Sequence, residues 1–115
     1  MSFWRDDVIG FALDHETGKH IAEQKSWIAS EPSNPKPYVN LARLYRMQWK
    51  PEQALGLLLE AVKLDGDFAA AHTELAQLYA VKNDPAAAWR HARAAERNGD
   101  PSAADLLRRH GVAEP

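Results

Sequence analysis

Apolar residues recur every three or four positions along most of this chain, the spacing of one face of an α-helix. Leu41, Leu44, Tyr45 and Gln48 form such a stripe. Pro51 interrupts it, and Ala54, Leu55, Leu58, Ala61 and Val62 resume it as far as Asp65-Gly66. Leu75, Ala76, Leu78 and Tyr79 make the next stripe, broken at Asn83-Asp84-Pro85; Ala88, Trp89, Ala92 and Ala95 follow, ended by Asn98-Gly99. Asp84 suits an N-cap and Pro85 a first helical position. Gly66 suits the left-handed residue that closes a helix. A last short helix restarts at Asp100-Pro101 through Ala104, Leu106 and Leu107. Arg108, Arg109 and His110 lie at its C-terminal end, where positive charge complements the helix dipole, and Gly111 stops it. In the first 34 residues, Phe3, Trp4, Val8, Phe11 and Ala12 fit one helix, and Ile21, Gln24, Trp27 and Ile28 fit another. Gly10 and Gly18 weaken both, since each costs about 1 kcal/mol in a helix interior. The segment VIGFAL also reads as a strand, but no partner strand exists. The pattern predicts an all-α chain of about seven helices.

The pattern also repeats. LARLY at 41–45 returns as LAQLY at 75–79, an offset of 34 residues. At that offset Leu41, Ala42, Leu44, Tyr45, Pro51, Ala54 and Ala61 become Leu75, Ala76, Leu78, Tyr79, Pro85, Ala88 and Ala95. Small residues answer small ones, as a close pair of antiparallel helices requires. A period of 34 belongs to a helix-turn-helix repeat. One helix pair cannot hide its own apolar face, and a stacked second pair can.

On these residues the sequence resembles the tetratricopeptide repeat family over residues 35–100. Tyr38, Leu41, Ala42, Tyr45, Ala54, Leu58 and Ala61 stand in the family's positions, as do His72, Leu75, Ala76, Tyr79, Ala88, Ala92 and Ala95. Three departures stand out: Gly66 and Asp100 replace the usual Pro, Ala92 replaces a bulky residue, and Trp49 occupies a turn where Gly or Asn is usual. The resemblance implies one domain over residues 1–115, a right-handed α-solenoid of antiparallel helix pairs. Its parts would be a degenerate helix pair or cap at 1–34, repeats at 35–68 and 69–102, and a capping helix at 101–111. It also implies a concave groove, lined by the first helix of each pair, that binds a protein or peptide. Ligand-facing positions carried over from the family are Lys36, Val39, Asn40, Arg43, Arg46 and Met47, then Ala70, Thr73, Gln77, Ala80 and Val81. That groove is expected to be basic at one end and small and neutral at the other.

Arg43 and Arg46 are three apart and share a helix face, so together they can hold a carboxylate. An acidic partner follows, with Asn40 bonding its backbone. No second basic cluster completes a two-carboxylate clamp. The plain alternative is a solvated surface. Trp49, beside Lys50 in a turn, either folds over the edge of a neighbouring helix pair, the commoner outcome, or stands exposed as a contact residue. Trp27 and Trp89 fall in packing stripes and are expected in the core.

Two further readings stay open. A short stack has two exposed ends, so Phe3, Trp4 and Phe11 at one end and Leu106, Leu107 and Val112 at the other can drive homo-oligomerisation. Five histidines raise a metal or cofactor carrier, with Glu16 and His20 four apart, but no pair has the spacing of a helical zinc site. No phosphate-binding Gly loop, GxSxG or HExxH appears, so no enzyme and no cofactor are expected.

Composition narrows little more. At 115 residues the chain is long enough for one domain. Net charge is −2, too small to point to nucleic acid. Residues 1–34 carry three basic and six acidic side chains, 35–68 five and four, and 69–115 six and six. Cysteine is absent, which removes disulfides and thiolate chemistry. No apolar run is long enough for a membrane span, and Asp6 and Asp7 stand where a signal peptide carries basic residues. A cytoplasmic location is the expectation.

Overall fold

The computed structural model describes the backbone of residues 2–115 and the side chains of residues 16–115. Six α-helices follow one another, with no strand among the described residues: α1 (Ser2–Ser30), α2 (Pro35–Met47), α3 (Pro51–Leu64), α4 (Ala69–Val81), α5 (Pro85–Arg97) and α6 (Ser102–Arg109). The count is six rather than seven because residues 2–30 form one unbroken helix instead of a pair. No proline or capping turn precedes Pro32. Gly18 is helical and open to solvent. Its cost of about 1 kcal/mol does not break a helix that α2 supports along its C-terminal half.

Helix starts follow the local chemistry. Asn34 Oδ1 accepts from the Lys36 backbone N–H at 3.0 Å and begins α2. Asp84 Oδ1 accepts from Ala87 N–H at 3.1 Å, with Pro85 first in α5 as expected. The helix ends share one device. Lys50 N–H donates to Tyr45 carbonyl and Asp84 N–H to Tyr79 carbonyl, both at 2.9 Å. Asp100 N–H does the same to Ala95 at 2.9 Å and Val112 N–H to Leu107 at 3.0 Å. The residue before each donor takes positive φ: Trp49 (60°), Asn83 (62°), Gly99 (98°) and Gly111 (68°). Trp49 and Asn83 are 34 apart, so the repeat extends to the backbone of the turn. The α3 end differs from expectation. Gly66 is not left-handed; instead Asp65 Oδ1 accepts from Asp67 N–H at 3.0 Å and turns the chain.

Two hairpins, α2–α3 and α4–α5, hold the most extensive contacts. Helices of 13–14 residues joined by three-residue turns can pack so closely only if antiparallel. α2 meets α4, and α4 meets α6, whereas α3 and α5 do not touch. The first helices therefore form one continuous layer, and the second helices splay apart behind it. The molecule is 21 Å thick, the depth of two helices each about 10 Å across.

The core lies between the layers. Val39, Ala42, Ala54, Leu58, Ala61, Ala71, Leu75 and Leu78 form one cluster. Ala76, Ala88, Trp89, Ala92, Ala103, Ala104 and Leu107 form the next. Fully buried Ala54, Ala61, Ala88 and Ala95 bring the hairpin helices together. Ala92 replaces Leu58 at the offset of 34, and the missing bulk returns one turn earlier as Trp89, where the first copy has Leu55. Trp89 is 1% exposed, with Nε1–H bonded to Val112 carbonyl at 3.1 Å and Arg108 over its ring. Trp27 is only half-buried and donates to Glu31 Oε2 at 3.0 Å.

Leu107 is buried and Val112 packs against the second cluster. Neither stands free as an end surface, and Leu106 is half-buried. The opposite end, expected at Phe3, Trp4 and Phe11, lies outside the residues whose side chains are described.

Replacing Ala88 with Leu adds three carbons where two helix backbones meet. Denaturant unfolding is expected to show a loss of about 1–3 kcal/mol; an unchanged midpoint would mean that the seam has slack.

Candidate protein-interaction groove

The layer made by α2, α4 and α6 carries the sequence-derived binding positions, and the structure sorts them into three groups. The first group is structural. Val39 is 1% exposed and belongs to the core, in one cluster with Ala54, Leu58 and Ala61 of α3 and Ala71, Leu75 and Leu78 of α4. Asn40 donates to Gln24 Oε1 of α1 at 3.2 Å. Thr73 is buried and donates to Asp100 Oδ2 at 2.6 Å. Asp100 also accepts through Oδ1 from the Ser102 backbone N–H (3.0 Å) and hydroxyl (2.6 Å). The Ser102 and Thr73 hydrogen bonds hold its carboxyl below the usual range. Asp100 thus ties α4 to the start of α6, a task that a Pro at this position has no side-chain oxygen to perform.

The second group is an internal ion cluster. Arg43 Nε bonds Glu74 Oε1 at 2.9 Å, and Arg46 Nη1 bonds Glu74 Oε2 at 2.7 Å. Arg46 Nη1 also donates to Gln77 Oε1 at 3.0 Å. The two arginines do hold a carboxylate jointly, but it belongs to α4. Glu74 is 7% exposed. The groove is therefore not simply basic at its α2 end. Two guanidinium groups against one carboxylate leave one positive charge. Glu74 was not among the expected positions, although it lies 34 residues after Asn40, which was.

The third group is free apolar surface. Trp49 is 91% exposed, Val81 83% and Met47 67%. Trp49 does not fold over a neighbouring helix: it sits in the α2–α3 turn with a left-handed backbone and nearly all of its surface open. These three residues, with Arg46, Pro51, Gln77 and Leu78, surround a hollow of about 500 Å³ between α2 and α4. A second hollow of about 400 Å³ lies between α4 and α6 and includes Ala80, Val81, Leu106 and His110. Gln77 and Val81 line both, so the two form one trough across α4. Lys36 is exposed at the start of α2, away from both hollows, and Ala70 is half-buried against the first core cluster.

The histidines divide differently from expectation. His20 is exposed and pairs with Glu23 at 3.6 Å, not with Glu16. His72 and His91, 19 residues apart, meet at 2.9 Å. Among the described residues no group of three or more His, Asp or Glu side chains can hold a metal ion. No helix among them is long and apolar enough to cross a membrane. Compared with models of known protein families the chain matches none, and compared with curated proteins it finds no match.

Thr73→Val keeps the shape and removes the hydroxyl. The Asp100 carboxyl is expected to titrate at higher pH in this variant, read by carboxyl carbon chemical shifts. Stability should drop by about 1–2 kcal/mol. An Asp100 titration identical to that of the parent would show that the 2.6 Å contact has no weight.

Proposed function

We propose that this chain is a non-catalytic protein-interaction scaffold of the tetratricopeptide type, a right-handed stack of helix pairs whose α2/α4/α6 layer takes a segment of another protein. The observation that carries this reading is Trp49. A bulky residue at positive φ is strained by about 1 kcal/mol or more, and Trp49 recovers none of that within the chain, being almost fully exposed. The equivalent turn in the second copy uses Asn83, which tolerates the same φ with less strain. A strained, exposed Trp beside Met47, Val81 and Arg46 has the composition of a binding hot spot.

The occupant fits an apolar anchor seated between Trp49 and Val81, with an acidic residue nearby. The single uncompensated charge of the Arg43–Glu74–Arg46 cluster favours that acid. It does not serve as a paired clamp, since Glu74 already takes both arginines.

Panning a displayed peptide library on the purified chain is expected to enrich peptides with a large apolar residue near an acid. Trp49→Asn should weaken those peptides by about 2 kcal/mol or more while raising unfolding stability by about 1 kcal/mol. Peptides that bind the variant as tightly as the parent would remove the groove reading.

A further inference from the structure

The His72–His91 contact starts from the first turn of α4; neither histidine lines either hollow, and the pair takes no part in the proposed binding. His72 is 8% exposed. Its Nε2 lies 2.7 Å from the Gly66 carbonyl in the α3–α4 turn, and its Nδ1 lies 2.9 Å from His91 Nδ1 on α5. The His91 ring also stacks on Tyr79, with centroids 5.6 Å apart and planes 5° from parallel.

The proton positions follow from these partners. A carbonyl only accepts, so His72 Nε2 carries a proton. In the neutral ring Nδ1 is then bare and must accept, so His91 Nδ1 carries the hydrogen between them. One added proton leaves the bond intact, because one facing Nδ1 still lacks a hydrogen. A second added proton puts N–H against N–H at a distance where only one hydrogen fits. The pair then has to part.

We propose that His72 and His91 form a proton-limited latch that joins the turn between the two repeats to α4 and α5, and that acidification opens it. Opening separates the rings while the charged His72 can still donate to the Gly66 carbonyl, so the α3–α4 turn loses its side-chain link through His72 to α5. The charged and titratable groups around His91 do not oppose this. His72 and Tyr79 face it from α4, and Arg90 adjoins it on α5; the turn presents the Gly66 carbonyl between Asp65 and Asp67. Burial first, then His72 and Arg90, push the His91 imidazole from 6.5 down to about 4. A group kept neutral by the fold binds protons more readily once released. The latch is therefore at full strength above pH 6.5 and weakens as pH falls toward about 4.

Two NMR measurements on the intact chain test the latch. Imidazole nitrogen spectra at pH 7.5 should place protons on His72 Nε2 and His91 Nδ1. Amide hydrogen exchange should then be followed at Phe68, Ala71 and His72, whose N–H groups bond within the turn and the first turn of α4. After correction for intrinsic rates, opening should rise by more than tenfold and up to about a hundredfold per pH unit between pH 6 and 4.5, as expected when the opened pair holds two protons more than the closed one. His91→Asn supplies an amide that can donate to or accept from His72 without titrating, so the rise should flatten. Equal pH dependence in parent and variant would overturn the proposal. If the variant does not fold, a His91 proton found only on Nε2 in the parent would overturn it as well.

Discussion

Glu74 stands between Arg43 and Arg46, and the form of the trough depends on that contact. A carboxylate with so little access to water must be paired, because burying an unpaired charge costs several kcal/mol. Its partners come from α2, one repeat earlier, and no other cation among the described residues is bonded to it. The interaction fixes how far α2 and α4 stand apart and how they are rotated. That in turn sets the walls of the hollow between Met47, Trp49 and Val81. It also fills the place where an acidic guest would have been gripped by both arginines.

The two copies are alike where the chain must turn and pack, and unlike where it meets solvent. The Tyr45–Lys50 and Tyr79–Asp84 bonds have the same length. Ala42, Ala54 and Ala61 are buried like Ala76, Ala88 and Ala95. The positions with solvent access have diverged: half-buried Arg46 against Ala80, and exposed Met47 against Val81 and Trp49 against Asn83. A helix seam tolerates little change in volume, whereas a side chain at a turn tip has open space around it. Trp89 shows the same rule inside the core, where bulk moved by one helical turn and burial stayed complete.

Much of this was legible in the sequence. Apolar spacing and the Pro and Gly punctuation located α2 to α6, and the offset of 34 located the hairpins. The two helices expected in residues 1–34 are one, since a single Gly weakens a helix without ending it. Gly66 was misjudged for a related reason: the Asp65 side chain can turn a chain that has no left-handed residue. The site was less legible. Arg43, Arg46, Met47, Gln77 and Val81 do face the layer, but the pattern gave no sign that Arg43 and Arg46 were already occupied. Carrying Asn40 forward by one period would have pointed to Glu74. The same register puts Val39 and Thr73 on the open face, yet Val39 is in the core with α3 and α4 and Thr73 is buried against Asp100. A single repeat unit carries no record of which neighbours pack on it.

The most direct measurement is a double-mutant cycle between Arg46→Gln and Glu74→Gln, read by denaturant unfolding. If the carboxylate joins the two repeats as described, the pair is expected to show a coupling of about 1 kcal/mol or more, with the single variants each less stable than the parent. Effects that add to within about 0.3 kcal/mol would contradict the account, because α2 and α4 would then be held in register by something else.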